Sequence, residues 1–214
     1  MLQSWVQVCN ASLVRAGLGT IASLDEASEE ASKCRALLSA TVDYVLSLHP
    51  WSCSIARQVL ALIGESGTGQ RPVWPYRYGH SLPVGMLRAI RIETGLPTGS
   101  RGALAQPEPF VLEVFNGQRV LLCNLKVAQL VFVFKPDTPT VLSPPVRQLV
   151  VLALSKELSF AGANSMALKK MFHAEFELAM GQAMLVDASE EYGFVPPDNT
   201  YIRARSGVPD WWVL

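Results

Sequence analysis

Between residues 27 and 48, small and apolar side chains return at every third or fourth position: Ala27, Ala31, Cys34, Leu38, Thr41 or Val42, Val45 and Leu48. That interval lines side chains up along one stripe of an α-helix. Glu29, Lys33, Ser39, Asp43 and Ser47 fall on the other side, so the stretch predicts an amphipathic helix of about six turns at ~3.6 residues each. Asp25 and Ser28 can cap its free N–H groups, and Glu26, Glu29 and Glu30 suit the positive end of the helix dipole. Pro50 sets the stop by biasing His49 away from helical backbone. A shorter helix is predicted over residues 3–16, closed by Gly17 and Gly19, which tolerate the left-handed conformation of a helix end. Joined by a short link containing Leu18, Ile21 and Leu24, the two predict a helical hairpin.

A chain of 214 residues is long enough for one large domain or two small ones, and it can bury a core without metal or disulfide staples. Half of its residues are hydrophobic, 17% are charged and the formal net charge is zero. Broad nucleic-acid binding needs an excess of Lys and Arg to displace counterions, so this balance argues against a dedicated DNA-binding protein. It suits a subunit that hides much of its surface against other chains. Cys9, Cys34, Cys53 and Cys123 are far apart with no C-x-x-C pair, and they are expected to be buried reduced thiols rather than metal ligands or a disulfide framework. The opening residues have neither a basic lead nor a long apolar run, and no stretch approaches the ~20 apolar residues of a membrane span. A soluble protein without a signal peptide is the expectation.

Residues 51–63 fit two patterns. Trp51, Cys53, Ile55 and Arg57 alternate as in a strand, while Ile55, Val59, Leu62 and Ile63 would line a helix; the reading leans toward an extended segment. Residues 64–83, dense in Gly, Pro and aromatics, are expected to be loop. The part between Gly64 and Gly69 resembles a phosphate-binding loop after a hydrophobic strand. Gln70 and Arg71 stand where that loop needs Lys and then Ser or Thr, and Pro72 and Pro75 oppose the helix it must open into. A small nucleotide-binding enzyme using this loop is the weaker alternative.

Residues 86–92 read as a strand, and residues 93–109 as a long connection, with Arg101 a cation that could face DNA. Asn116-Gly117 then separates two apolar runs, the pair suited to a type I′ hairpin turn in which both central residues take positive φ. A further strand over 129–134 completes an expected antiparallel sheet of at least four strands. Ser143, Pro144 and Pro145 open a helix carrying Val146, Leu149, Val150, Ala153, Leu154, Leu158 and Ala161, apolar around most of its girth and therefore central. After Gly162, Asn164 or Ser165 caps another helix to about residue 186, with Leu168, Met171, Phe172, Glu175, Phe176, Ala179 and Ala183 on its face. These two form a second hairpin, packed on the first.

In the last stretch Tyr192, Phe194, Tyr201, Trp211 and Trp212 are too many aromatics for a solvated tail, and with Arg203 and Arg205 they are residue types enriched at interface hot spots. The tail either folds back or reaches a neighbour. Catalytic signals are weak. His49 and Cys53 would lie about 13 Å apart on an extended segment at ~3.3 Å per residue, with no Asp or Asn expected to orient the imidazole. No metal-ligand spacing or nucleophile elbow is present, and no cofactor is expected.

The order of these pieces resembles a known family. A helix, "AGLGTIASLDE", a long helix and "VLSLHPW", then "YRYGHSLPVGMLRAIRI" and the terminal "YIRARSG", are similar to the head-to-tail adaptors of tailed bacteriophages, called tail tubular protein A in short-tailed phages. The resemblance implies an α+β fold: a four-helix core of two helical hairpins, an inserted antiparallel β region and an extended C-terminal arm. The expected boundaries are residues 1–50, 51–142, 143–186 and 187–214. It further implies a non-enzymatic ring in the virion, assembled in the host cytoplasm. That ring is expected to be twelvefold, to dock under the portal, to present a platform to a tail nozzle resembling tail tubular protein B, and to let genomic DNA through its lumen. The arm residues Tyr192, Phe194, Tyr201, Arg203, Arg205, Trp211 and Trp212 are then expected to engage the portal or adjacent subunits. A neck or head-completion ring of a long-tailed phage is the alternative within this class.

Overall fold

Ser4 caps the first helix, α1 (Trp5–Arg15), and Ser28 caps the second, α2 (Glu29–Leu48); their hydroxyls accept the backbone N–H groups of Gln7 and Ala31. Gly17, at φ +74°, follows the end of α1. His49, held extended before Pro50, ends α2. The computed structural model describes residues 2–67, 75–93, 108–161 and 166–191. After a short 3₁₀ turn, Ser52–Ser54, come β1 (Ile55–Val59), β2 (Leu62–Glu65), β3 (Tyr78–Ser81), β4 (Met86–Glu93), β5 (Val111–Phe115), β6 (Gln118–Cys123) and β7 (Gln129–Phe134). Helices α3 (Pro144–Ala161) and α4 (Met166–Glu191) follow. The fold is α+β.

Two antiparallel sheets form where one was expected: β1-β7-β4 and β2-β3-β6-β5. The hairpin of β5 and β6 turns on Asn116 (φ 49°) and Gly117 (φ 76°), as its sequence predicts. The strand at 129–134 does not join it. β7 instead sits between β1 and β4, and its residues 130–133 are buried on both faces. Val133 turns to the helices, while Leu130 and Phe132 turn to the second sheet. Such a doubly covered strand reads as a continuous apolar run. The layers are therefore helices, three-stranded sheet and four-stranded sheet, with Leu121 and Cys123 of β6 reaching into the space between the sheets.

Within the segment at 64–83, expected to be loop and irregular edge, two described pieces are strand. Gly64 and Glu65 belong to β2, and β3 lies between β2 and β6. Tyr-Gly-His-Ser has no polar alternation because three of its four residues are buried, as a central strand requires. His80 is fully buried, and its Nε2 lies 2.9 Å from the Leu125 carbonyl oxygen. Burial pushes its pKa below the ordinary 6.5, against a smaller opposing effect of that bond. In the unfolded chain the ring takes up a proton near pH 6.5; in the folded chain it resists until lower pH. The resulting stability is present above pH 6.5 and is lost as pH falls toward the folded pKa. Thermal midpoints at pH 7.5 and 5.5 should show a drop that His80→Gln reduces; an equal drop in that variant would exclude His80 as its source.

Helix α3 is the hub, packed against α1, α2 and α4. Val146, Leu149, Val150, Val151, Leu152 and Ala153 are all buried with Val8, Val42, Val45, Phe172 and Phe176 around them. The predicted hairpin of α1 and α2 is looser than expected, since both helices lie chiefly on α3 rather than on each other. Lys135, just past β7, ties the sheet to α2 through Asp43 (2.8 Å) and Ser39 Oγ (2.7 Å). All four cysteines are free, Cys53 being half-buried and the others buried. Cys9 and Cys34, distant in sequence, lie side by side in a core cluster; the neighbouring Cys34 sulfur and burial push the Cys9 thiol up.

Candidate assembly surface

Helix α4 has apolar residues on two opposite sides. Phe172, Phe176 and Ala183 are buried in the core. Across the helix, Met171, Leu178 and Leu185 recur every seven residues and are 52%, 73% and 74% exposed. Seven residues make about two turns, so these three form a line along the axis. Ala174, Gly181 and Ala188 stand beside them at the intervening three-residue offsets, all exposed. Met171 and Glu175, expected on the packed face of this helix, lie at the surface: Met171 is exposed, and Glu175 pairs with Arg15 of α1. The seven-residue interval was visible in the sequence. It was masked by the second apolar face, which has the same helical spacing.

A groove opens where α2, α3 and α4 meet. Tyr44 and Phe176 stack at 6.3 Å, and Lys156 Nζ lies 5.6 Å from the first ring and 5.9 Å from the second. The hollow beside them has a volume of about 420 Å³ and is lined mainly by Leu37, Ala40, Tyr44 and Ala153. An adjoining hollow near Met166 is lined by Lys169, Lys170 and His173 and shares Lys156 and Glu157 with the first. Glu157 lies 3.6 Å from Lys156 and 3.8 Å from Lys169. Apolar walls with a basic rim suit a docking segment carrying apolar and acidic side chains.

His49 has an acidic neighbour that is far from it in the sequence. Asp187, near the end of α4 and 4% exposed, places Oδ2 3.3 Å from His49 Nε2. Its Oδ1 accepts from Ser52 N (3.0 Å) and Ser52 Oγ (2.7 Å). The Cys53 sulfur points elsewhere, 3.9 Å from Ser143 Oγ. With one carboxylate oxygen on the serine and the other on the imidazole, Asp187 separates the two groups rather than aligning them for proton transfer. The arrangement is a clasp joining the end of α4 to the turn after α2.

The resemblance-derived interface residues Tyr192, Phe194, Tyr201, Arg203, Arg205, Trp211 and Trp212 lie outside the described residues, as does Arg101. The arm expected from residue 187 is helical through residue 191, because α4 continues to Glu191. Gly64 pairs with Gly79 across β2 and β3, and Gly67 is in a turn at φ +73°; Gly69 is outside the described residues. Among the described residues, no group of three or more His, Cys, Asp or Glu side chains could hold a metal ion, and no helix is long and apolar enough to cross a membrane. Comparison with models of known protein families gives no match, and comparison with curated proteins gives none.

Proposed function

We propose that this chain is a structural subunit that works by association: a head-to-tail connector of a tailed phage, forming a ring, twelvefold as the resemblance implies, between the portal and the tail nozzle. The observation that carries the association reading is the exposed apolar line Met171, Leu178 and Leu185. Large side chains left in solvent along a whole helix mark a surface that another chain covers. The phage assignment rests on the resemblance in the order of the sequence pieces. In this reading the four helices act as a core of two hairpins, the C-terminal arm reaches the portal or a neighbouring subunit, and the β region meets the nozzle. DNA passes through the lumen without sequence-specific contacts, and the chain performs no catalysis and needs no cofactor.

Deleting residues 192–214 tests the arm and leaves the Asp187 clasp intact. The shortened chain is expected to keep a thermal midpoint close to that of the parent and to lose capture by the cognate portal ring in a co-sedimentation assay. Unimpaired capture of the shortened chain would overturn the role of the arm. Failure of the full chain to bind the portal would overturn the connector itself.

A further inference from the structure

We propose that the groove between α2, α3 and α4 receives residues 208–214 of this chain, with Trp211 and Trp212 against its apolar walls and Asp210 at its basic rim. Helices α2 and α4 both pack on α3, and Ala153, Lys156 and Glu157 of α3 line the hollow beside them. Tyr44 keeps 46% of its surface in solvent there, although it stacks on Phe176. Aromatic rings attract a further ring offset or edge-on, and Lys156, already over two ring faces, would meet a third.

Charge selects this segment from the rest of the chain. Lys156, Lys169 and Lys170 line the two adjoining hollows with a single glutamate, Glu157, lying near the first two. His173 lies beside them, 3.9 Å from Glu177. The rim is therefore net positive and suits a carboxylate. Outside the described residues, 68–74 carries Arg71 with its tryptophan, and 94–107 carries Arg101 and no aromatic side chain; either would bring like charge to the lysines. Residues 208–214 read Val-Pro-Asp-Trp-Trp-Val-Leu, a carboxylate directly beside two indoles with no cation among them.

The connection is long enough. Phe176 lies fifteen residues before Glu191, the end of α4, which is about 22 Å back along the helix at ~1.5 Å per residue. Residues 192–207 number sixteen and can span up to about 53 Å at ~3.3 Å each. A tethered segment within reach of its site is present there at an effective concentration on the order of millimolar, so a modest contact is enough to keep the groove filled. The inference goes beyond the connector reading and stands without it: a portal or neighbouring subunit that takes the arm must bind its tip more tightly than this groove does. A tip that docks in a chain never captured by a portal would keep the groove and remove the connector; a captured chain whose tip never docks would do the reverse.

Cross-linking of the full chain tests the docking. Ala40 lines the groove and is exposed, so Ala40→Cys with Val213→Cys is expected to close an intramolecular disulfide under oxidised glutathione, seen as a shifted monomer band. Val213→Cys alone should give no such band. Ala174→Cys with Val213→Cys, which sets the first thiol on the exposed side of α4, should close about tenfold more slowly, because tethering alone does not favour that face. Asp210→Lys should slow the groove cross-link about fivefold, the effect of one partly exposed ion pair, and adding Lys170→Glu should restore part of the rate. Equal rates at positions 40 and 174, or a groove rate that Asp210→Lys leaves unchanged, would overturn the proposal. A cross-linked dimer in place of the closed monomer would overturn it as well, by assigning the groove to the arm of a second copy.

Discussion

Replacing Trp51 by alanine is expected to cost about 3–5 kcal/mol, the usual range for deleting a fully buried aromatic side chain. Trp51 is entirely excluded from solvent at the point where α2 gives way to the sheets, within the core shared by α3 and β7. Its Nε1 donates to the Val45 carbonyl oxygen at 3.0 Å. Val45 is among the last four residues of α2, whose carbonyls have no partner further along the helix. The substitution therefore opens a cavity and removes a cap at once. His49, edge-on to the indole at 4.8 Å, loses its neighbour as well. Urea unfolding measures the loss. A decrease below about 1 kcal/mol would mean the site collapses around the missing ring or was never closely packed. Trp51→Phe separates the contributions: it keeps much of the volume and loses the donor, so a smaller cost of about 1–2 kcal/mol is expected.

What the sequence disclosed depends on whether an element's signal is local. Ser28, Pro50 and the spacing from Ala31 to Val45 set the limits and the buried face of α2, and all act within one or two helical turns. Asn116-Gly117 fixes its hairpin for the same reason. β3 was illegible because Tyr78, Gly79, His80 and Ser81 form a strand through their neighbours on either side rather than through alternation. The division into two sheets was equally hidden, since β7 pairs with β1 and β4, both distant from it in the chain. Leu130 to Val133 announced a buried strand but not which layers cover it. At the candidate surface, Met171, Leu178 and Leu185 were all readable as apolar helical residues. Their exposure was not, because the helix has two apolar sides and only packing decides which one faces α3.

The Asp187 clasp is the part of the molecule least accessible to sequence reasoning, because a lone aspartate near the end of an apolar helix looks like a solvated residue. Its carboxylate is buried and holds two hydrogen bonds from Ser52 in addition to the contact with His49. Asp187→Ala would leave the Ser52 N–H and hydroxyl without their acceptor in a part-buried place, a loss expected to cost about 1–3 kcal/mol. Asp187→Asn retains one acceptor oxygen and should cost less. Combining Asp187→Ala with Ser52→Ala tests the coupling directly, since the second change removes the hydroxyl that the first leaves unpaired; the two costs should therefore sum to more than the double variant shows. The consequence extends to the outer face of α4. The clasp fixes the last turns of that helix against the α2–β1 junction, and Leu185 and Ala188 flank Asp187 on the exposed side. Asp187→Ala should therefore weaken association as well as folding, and amide exchange should rise first in residues 184–191. If the variant unfolds at the parent's urea midpoint, or its exchange rises uniformly along α4, the carboxylate is not what holds this end of the helix.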